Sequence, residues 1–236
     1  MAEHSALLAP FREDLQRDPE AAAGRWLTEV HPRVYRLPAF DPEWCLGFSQ
    51  AVDARRAELA RAGARLEPPN SLHEAGVGLD LLGWEHAFDA LLARWIHPLA
   101  ARAFGDLGGA TLDGVRGFLA DYGEGADEDL AFHVDDSEVT LNLCLEGDFH
   151  GSELYFRGLR CDLHRQTPCG RDEAFEYEHE PGVAVLHAGP HRHGVESILG
   201  GRRRNLILWL RSARERAKRE PGACPAWCGA RAQRRS

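Results

Sequence analysis

The chain has 236 residues, of which 44% are hydrophobic, and this is enough for one large domain or for one domain with a substantial extension. No apolar run approaches the ~18 residues that a membrane-spanning helix needs, so a protein anchored by such a helix is not expected. The formal net charge of −9 combines an acidic centre with a basic C-terminal region. The acidic centre argues against a broad nucleic-acid-binding face in that part of the chain.

The N-terminus and the cysteines both bear on the cellular compartment. The opening residues, MAEHSALLAPFRED, lack the basic start, the apolar stretch and the small-residue cleavage site of a secretory signal. The six cysteines lie far apart, and their spacing implies no disulfide framework. We therefore expect a reducing compartment, the cytoplasm.

Two helical segments are predicted before the middle of the chain. Over FDPEWCLGFSQAVDARRAELARAG, Asp41 is expected as the N-cap, Pro42 as the first helical residue and Gly63 as the residue just past the end. The segment DLLGWEHAFDALLARWIHPLAARAFG carries leucines and tryptophans at helical spacing, which indicates a buried face rather than a ligand-stacking site. Residues 1–110 are therefore predicted to be a helical N-terminal extension packed on the core.

The pattern changes to short β-rich segments after Gly109. These segments are VRGFLADYG, AFHVDDSEVTLNLCLEG, SELYFRG, GVAVLHAG and RNLILWLRS. Within the second of them, EVTLNLCLE alternates apolar and polar residues, which is the period of a half-buried antiparallel strand. The predicted fold class is α+β, with N-terminal helices followed by a β-sandwich or barrel over residues 111–212. Residues 213–236 are predicted to form a short helix and a loosely ordered basic tail.

The segment FHVDDSEV contains the pattern His-x-Asp, which is a candidate half of a metal site. On a strand, His133 and Asp135 point to one face and Asp136 to the other, so one strand can offer an imidazole and a carboxylate together. The later segment VAVLHAGPHRHGV offers three candidate third ligands, His187, His191 and His193. Two histidines and one carboxylate on one face leave three coordination positions open, an arrangement typical of non-haem Fe(II) oxygenases.

An arginine run and a tyrosine extend this candidate site. Side chains alternate along the strand GGRRRNLILWL, so only one phase of its three arginines can face inward. A guanidinium can hold a carboxylate through two parallel hydrogen bonds. Tyr122 lies on the strand before the His-x-Asp pattern, where its hydroxyl either reaches the same interior or is a buried structural group. A metal, an arginine and a tyrosine together form a receptor suited to 2-oxoglutarate, whose 2-oxo acid end chelates the metal while its distal carboxylate meets the cation.

Three motifs together resemble one enzyme family. HVDDSEVTLNLCL, DFHGSELYF and HGVESILGGRRRNLILWL are similar to the prolyl/lysyl hydroxylase group of Fe(II)- and 2-oxoglutarate-dependent oxygenases, and most of all to its 2-oxoglutarate and iron-dependent oxygenase domain-containing proteins. LPAFDPEWC and PNSLHEAGVGLDLLG resemble the helical lead-in of the same subgroup, so the similarity covers most of residues 31–228. Two departures, Ser152 in place of a second glycine and Ser197 in place of a proline, lie outside the metal motif.

This resemblance implies both a fold and a set of site residues. The implied fold is a double-stranded β-helix, the cupin-like jelly roll. The implied metal ligands are His133, Asp135 and His193. The implied 2-oxoglutarate-binding residues are Arg203, ten residues beyond the distal histidine, and Tyr122. The implied cofactors are Fe(II), 2-oxoglutarate as co-substrate and O2, with ascorbate as a further candidate.

Neighbouring residues compete for some of these roles. His191, two residues before the distal ligand, is expected either next to the metal ligands without binding the ion or at the pocket rim, whereas His187 is expected at a strand end with a structural hydrogen bond. Arg202 and Arg204 are expected to face outward, because they are out of phase with Arg203. Thr140 and Asn142 are weaker candidates for the site, because they face the same side of the strand as His133 only if a bulge intervenes.

The resemblance implies hydroxylation of a prolyl or lysyl side chain in a peptide or protein. A free amino acid or another small metabolite is an alternative substrate, and a non-catalytic cupin-like binding module is an alternative of another class. A nucleic-acid demethylase is disfavoured, because those enzymes carry a second inward arginine where this chain has Trp209 and because the barrel is acidic.

Four of the cysteines raise the question of a second metal. Cys161, Cys169, Cys224 and Cys228 could form a zinc site, but their C-x7-C and C-x3-C spacings are not those of a common zinc finger. Unpaired thiols are the alternative.

Overall fold

In the computed structural model, which describes residues 6–230, eleven strands form two antiparallel sheets. The strands are β1 (Thr28–His31), β2 (Val34–Leu37), β3 (Val77–Gly78), β4 (Gly114–Gly123), β5 (Leu130–His133), β6 (Val139–Gly151), β7 (Leu154–Leu159), β8 (Ala174–Tyr177), β9 (Ala184–Ala188), β10 (His191–Val195) and β11 (Ile198–Arg211). The larger sheet has the order β1-β2-β9-β6-β11-β4-β3, and the smaller one β5-β10-β7-β8. Side chains from both sheets pack together between them. This is the α+β jelly roll that the sequence predicts.

Most of the helical structure precedes the jelly roll in the chain. The helices are α1 (Ala9–Arg17), α2 (Pro19–Trp26), α3 (Pro42–Arg61), α4 (Asp89–Leu91), α5 (His97–Ala103) and α6 (Ala213–Ala217). A π-helical turn (Leu92–Ile96) joins α4 to α5, and the 3₁₀ turns are Gly105–Leu107, Gly109–Thr111, Asp162–His164 and Arg171–Glu173. Within the part of the chain that the structure describes, none of the helices combines the length and apolar character required to span a bilayer.

The helix α3 begins and ends where the sequence predicts. The side chain of Asp41 accepts hydrogen bonds from the backbone N–H groups of Glu43 and Trp44 at 2.8 and 3.0 Å. Pro42 is the first helical residue. Gly63 follows the helix with a φ of 78°, a left-handed conformation that glycine adopts without steric cost.

The second predicted helix begins later than its sequence pattern indicates. The chain forms turns before Asp89, and the backbone N–H of Gly83 donates to the carbonyl of Asp80 at 2.9 Å. Gly83 has a φ of 75°, which does not fit a right-handed helix, and this explains the delayed start. Helical structure then continues from Asp89 to Ala103.

The N-terminal part of the chain contributes strands as well as helices, which corrects the prediction of a purely helical extension. The hairpin of β1 and β2 joins the larger sheet through β2 and β9, where Val34 lies opposite His187. At the other end of the sheet, β3 pairs with β4. These strands satisfy backbone hydrogen-bonding groups that the central strands would otherwise leave exposed. The predicted domain boundaries stay a prediction.

The strand β11 shows how one strand contributes to two cores. Leu206, Leu208 and Leu210 are buried on the side of the sheet that faces the helices. Ile207 and Trp209 alternate with them and pack between the two sheets. The period-two pattern of the sequence therefore separates a helix-facing core from the interior of the jelly roll.

The segment AFHVDDSEVTLNLCLEG forms two strands in different sheets rather than one continuous strand. β5 ends at His133 in the smaller sheet, and β6 begins at Val139 in the larger sheet. In the connection, the backbone N–H of Asp135 donates to the carbonyl of Gly189 at 3.0 Å. The connection therefore places Asp135 where the two sheets meet.

The C-terminal segment packs against the jelly roll over residues 213–230, which corrects the prediction of a loosely ordered tail for that part. Arg216 and Arg219 donate hydrogen bonds to the carboxylate of Glu138, which is 1% exposed. Buried carboxylates of this kind require such partners. The rest of the predicted tail, residues 231–236, lies outside the described residues.

We expect Leu208→Ala to lower the free energy of unfolding by about 2–5 kcal/mol, because the truncation leaves a cavity in the helix-facing core. Leu199→Ala on the same strand is the matched control. Leu199 is 81% exposed, and its truncation should change stability by no more than about 0.5 kcal/mol. Urea denaturation followed by circular dichroism measures both values, and equal effects would contradict the burial of Leu208 and the exposure of Leu199.

Candidate metal centre

A pair of facing histidines forms the base of the site. β5 and β10 are neighbours, and their register places His133 directly opposite His193, with ring centroids 4.2 Å apart. Nδ1 of His133 lies 2.7 Å from the carbonyl oxygen of Ala131, and Nδ1 of His193 lies 2.8 Å from that of His191. Because a carbonyl oxygen only accepts, each Nδ1 carries the ring proton, and each Nε2 keeps its lone pair for another partner.

Asp135 brings a carboxylate to this pair from the connection between β5 and β6. Its Oδ1 lies 3.5 Å from Nε2 of His133 and 3.7 Å from Nε2 of His193. These separations are too long for a hydrogen bond. They come close to the ~3.0–3.5 Å between two ligands that each lie about 2.1 Å from a shared ion. Each of the three residues offers a ligand atom within 4.8 Å of the others, so the structure brings together the three predicted metal ligands.

Thr140 orients the carboxylate of this group. Its hydroxyl donates to Oδ2 of Asp135 at 2.6 Å, and the hydroxyl of Ser137 lies 2.8 Å from that of Thr140. His133 and Thr140 lie on strands of different sheets, so the alternation of side chains along one strand does not decide whether Thr140 faces the metal ligands. The hydrogen bond engages Oδ2, while Oδ1 is the carboxylate oxygen nearer to the imidazole of His193.

Burial and mutual contact set the charge state of the group. Burial lowers the pKa of His193 to about 3, so its ring is neutral at physiological pH. Burial alone would raise the pKa of Asp135, but the nearby imidazoles of His193 and His133 hold it below its ordinary value. The site therefore presents an ionised carboxylate beside a neutral imidazole, and such donors suit a divalent transition-metal ion.

Two further histidines lie close to the group. His187 has its Nδ1 3.0 Å from the carbonyl oxygen of Ala188, which is the structural hydrogen bond that the sequence predicts. Its Nε2 also lies 3.7 Å from Oδ2 of Asp135, a contact that the sequence does not predict. His191 is 2% exposed, with its ring 4.9 Å from that of Phe156, so it lies inside the protein and not at an exposed rim.

Asp136 points away from the site, as the sequence predicts. Its carboxylate forms ion pairs with Arg211 and Arg216 at 2.6 Å each, and its side chain is 60% exposed. Asp136 therefore stabilises the C-terminal segment and does not contact the imidazoles.

Arg203 lies between the two sheets. It is 2% exposed, and its guanidinium carbon lies 4.4 Å from the ring centroid of Tyr122, its neighbour across the pairing of β4 with β11. Its Nη1 donates to the carbonyl of Ser152 at 2.9 Å. Its Nε is buried and has no hydrogen-bond partner within residues 6–230. A buried guanidinium with an unused N–H is well suited to an anionic ligand, because an unsatisfied buried donor is unfavourable.

The two neighbouring arginines do not face the space between the sheets, as their phase predicts. Arg204 is not outward-facing, however, because it is buried under the helices, where it forms ion pairs with Asp121 and Asp53. Arg202 is exposed. Of the three arginines, Arg203 is therefore the one available to a ligand between the sheets.

Tyr122 and His73 connect the arginine to the histidine pair. Tyr122 is 3% exposed, and its hydroxyl lies 3.5 Å from Nε2 of His73. Burial raises the pKa of Tyr122, which is also subject to the charges of Arg203 and Asp135. Burial lowers the pKa of His73 to about 4. Sequence reasoning missed His73, because this residue lies in a loop where no periodicity marks it.

Several buried polar atoms near these residues lack a hydrogen-bond partner among the described residues. They include Ser152 Oγ, His179 Nδ1, His187 Nε2, both ring nitrogens of His191, Asn205 Oδ1 and Trp209 Nε1. The pKa of His179 is lowered by burial and by the charges of Arg203 and His187. Buried polar groups in folded proteins rarely stay unpaired. The interior is therefore suited to a polar ligand.

Sequence comparison relates the chain to a family of oxygenases. It is 39% identical over 220 residues to the 2-oxoglutarate and iron-dependent oxygenase domain-containing protein CP2 of Arabidopsis thaliana, covering 93% of this chain and 56% of that protein. It is 36% identical over 205 residues to the 2-oxoglutarate and iron-dependent oxygenase domain-containing protein 2 of Danio rerio, covering 86% and 55% respectively. Residues 1–109 match the OGFOD2-like domain. These matches confirm the predicted family resemblance, and the chain spans a little over half the length of these relatives.

A solved structure shares the fold. A Pseudomonas putida prolyl-4-hydroxylase aligns with a TM-score of 0.52 at 18% identity, covering 86% of this chain and 98% of that chain. At this level of identity the likeness supports the jelly-roll architecture and nothing finer.

Asp135→Ala should weaken Mn²⁺ binding, with Mn²⁺ as a stand-in for Fe²⁺ that resists oxidation. The expected loss exceeds the roughly 10–100-fold that an indirect partner of a metal ligand costs, because a direct donor is removed. Asp136→Ala is the matched control, and its effect should stay within about threefold, since Asp136 forms only surface ion pairs. Calorimetric titration measures both affinities. A larger loss in Asp136→Ala would show that Asp136, and not Asp135, points toward the imidazoles of His133 and His193.

Proposed function

The chain is a homologue of the 2-oxoglutarate and iron-dependent oxygenase domain-containing proteins, and from this relationship we propose that it is an Fe(II)- and 2-oxoglutarate-dependent dioxygenase. The observation that carries the proposal is the convergence of His133, Asp135 and His193 on one point. We assign these residues as the ligands of Fe(II). These residues would hold Fe(II), which would supply the chemistry for activating O2 together with the 2-oxo acid.

Arg203 is assigned to the distal carboxylate of 2-oxoglutarate. The contacts of its guanidinium with the carbonyl of Ser152 and the ring of Tyr122 hold it in one orientation, and its Nε is left without a partner within residues 6–230. A cation that is already oriented loses little side-chain entropy when it binds an anion. The hydroxyl of Tyr122 is assigned as a second donor to the same carboxylate, and its raised pKa keeps it protonated.

Bound Fe(II), 2-oxoglutarate and O2 together supply the oxidant for hydroxylation of a C–H bond, with release of succinate and carbon dioxide. The residues of the chain hold the reactants and limit the access of water. Thr140 orients Asp135 through Oδ2, and the Nδ1–H groups of His133 and His193 fix the two rings through backbone carbonyls. Phe156, which is fully buried with its ring 5.8 Å from that of His193, keeps water from that side of the site.

The proposed substrate is a prolyl or lysyl residue of a protein or peptide. A cavity of about 810 Å³ is lined by the connection between β5 and β6, including Asp135, and by side chains of both charges, whereas His133 and His193 are not among its lining residues. These charged side chains include Asp136, Glu138, Arg165, Arg216, Lys218 and Glu220. This volume is near the upper end of the range for ligand pockets, and the mixed charge suits the polar backbone of a peptide. A free amino acid or another small metabolite is the alternative.

A reducing compartment, the cytoplasm, is the proposed location. None of the six cysteines, all of which lie among the described residues, forms a disulfide, and the sulfur atoms of Cys161 and Cys224 lie 3.8 Å apart. A disulfide at so short a separation would be favoured in an oxidising compartment.

Arg203→Ala is expected to weaken 2-oxoglutarate binding by about 30-fold or more, because it removes a buried charged partner of the distal carboxylate. The affinity for Mn²⁺ should stay within about threefold, since Arg203 does not contact the metal ligands. Arg202→Ala, which changes the exposed neighbour, is the matched control and should leave both affinities unchanged. An anaerobic titration of the Fe(II)–protein with 2-oxoglutarate, followed by visible absorption, measures the binding. Equal loss of metal and 2-oxoglutarate affinity in Arg203→Ala would refute the assigned role.

Succinate formation from 2-oxoglutarate tests the proposed activity. Wild-type protein with Fe(II), ascorbate and O2 should produce succinate, a peptide library should stimulate production, and His193→Ala should produce none. Stimulation by free amino acids but not by peptides would replace the proposed substrate with the alternative. Production no higher than that of His193→Ala, in protein that still binds metal, would favour a non-catalytic binding module.

A further inference from the structure

Three cysteines and a histidine converge beyond the end of β7, in a cluster separate from the proposed iron ligands. The four residues are Cys161, His164, Cys224 and Cys228. The first two belong to the connection after β7, and the last two belong to the C-terminal segment. Cys169, the fourth cysteine of the zinc site considered from the sequence, is not part of the cluster. Cys169 is exposed, with its sulfur 3.2 Å from the carbonyl oxygen of Gly170, and His164 takes the fourth place.

The distances between the ligand atoms match the edges of a zinc tetrahedron. Nδ1 of His164 lies 3.3 Å from Sγ of Cys161, 3.5 Å from Sγ of Cys224 and 3.6 Å from Sγ of Cys228. The sulfur atoms of Cys161 and Cys224 are 3.8 Å apart. For Zn–S and Zn–N bonds of about 2.3 and 2.0–2.1 Å, a tetrahedron has S–S edges of about 3.8 Å and S–N edges of about 3.5 Å.

A disulfide does not account for this arrangement. A disulfide bond is about 2.05 Å long, whereas the sulfur atoms of Cys161 and Cys224 are 3.8 Å apart. Any disulfide among three cysteines would also leave one sulfur outside the bond, although all three sulfurs and the imidazole nitrogen lie within 4.8 Å of one another.

A buried arginine matches the charge of such a cluster. Zinc with three thiolates and a neutral imidazole has a net charge of −1. Arg192 is 3% exposed, and burial and the charge of Arg160 lower the pKa of its guanidinium, while Cys169, Glu173 and Cys228 act in the opposite direction. Its guanidinium donates to the backbone carbonyls of Arg157, Gly158, Arg165 and Thr167. The carboxylate of Glu173, which also acts on Arg192, is already paired with Arg160. An anionic cluster therefore offsets the cost of burying the charge of Arg192.

We propose that Cys161, His164, Cys224 and Cys228 bind a structural Zn²⁺ ion. Four protein ligands complete the tetrahedral coordination that closed zinc sites use. Cys161 and Cys228 are 8% and 2% exposed, which shields the site from solvent. The backbone N–H of Cys161 points at the sulfur of Cys228 at 3.4 Å, and such contacts stabilise thiolate ligands. Soft sulfur donors select zinc over magnesium or calcium.

The ion fastens the C-terminal segment to the end of β7. The backbone N–H of Gly229 donates to the carbonyl of Leu159 at 3.0 Å, beside the cluster. Cys161 and Trp227 line the same cavity of about 810 Å³ as Asp135. Bound zinc would therefore hold Cys161 in place in the wall of this cavity.

The zinc content of the full chain tests this proposal. After exchange into metal-free buffer without a chelator, inductively coupled plasma mass spectrometry should find about one zinc per chain in the wild type. Cys224→Ser and His164→Ala should each reduce the content at least about tenfold, whereas Cys169→Ser, the exposed-thiol control, should keep it. His193→Ala removes a proposed iron ligand and should also keep the zinc, so failure of this proposal is distinguishable from failure of the proposed function.

Two further measurements separate loss of zinc from loss of fold. His164→Cys preserves four ligands and should retain zinc, and the Co(II)-substituted wild type should show the intense visible absorption of a tetrahedral thiolate site. The proposal is overturned if wild-type protein holds less than about 0.1 zinc per chain. It is also overturned if Cys169→Ser loses zinc together with Cys224→Ser, or if mass spectrometry detects a disulfide between Cys161 and Cys224.

Discussion

The antiparallel pairing of β5 with β10 is the interaction on which the candidate metal centre depends. It places His133 opposite His193, two residues that are far apart in the chain. The strands themselves also supply the backbone carbonyls that orient both rings. A slip of one residue in this register would turn one imidazole to the other face of the sheet and separate the pair. Asp135 then completes the group only because β5 ends at His133, which allows the chain to cross toward the larger sheet.

The consecutive arginines of β11 differ in whether the protein supplies a carboxylate to pair with each one. Arg204 is buried and forms ion pairs with the buried Asp121 and the exposed Asp53, so its charge is already matched within the protein. Arg203 forms no ion pair among the described residues, and its contacts are a backbone carbonyl and an aromatic ring. A buried cation of the first kind stabilises the fold, whereas one of the second kind is best stabilised by an anion from outside.

The two proposed metal sites differ in the number and type of their donor atoms, and this difference suits them to different roles. Three donors on one side of an ion leave room for exchangeable ligands, which is what a reaction at the metal needs. Four donors that include three thiolates close the coordination sphere and bind two segments together. The cavity of about 810 Å³ is lined by one residue of each group, Asp135 and Cys161. The proposed zinc site and the candidate iron centre thus each contribute one residue to the wall of the same cavity.

Sequence alone determined the residue types and spacings of the candidate iron centre, the cap of α3 and the inward phase of Arg203, because alternation, capping and motif spacing are local properties of the chain. It failed where distant segments meet. Residues 28–37 form strands because an edge of the larger sheet is available to them, and Thr140 reaches Asp135 because the chain changes sheets between them. His164 replaces Cys169 in the cysteine cluster because the C-terminal segment returns to the end of β7. Tertiary structure decided these contacts, since which groups become neighbours depends on the packing of the whole chain and not on their local sequence.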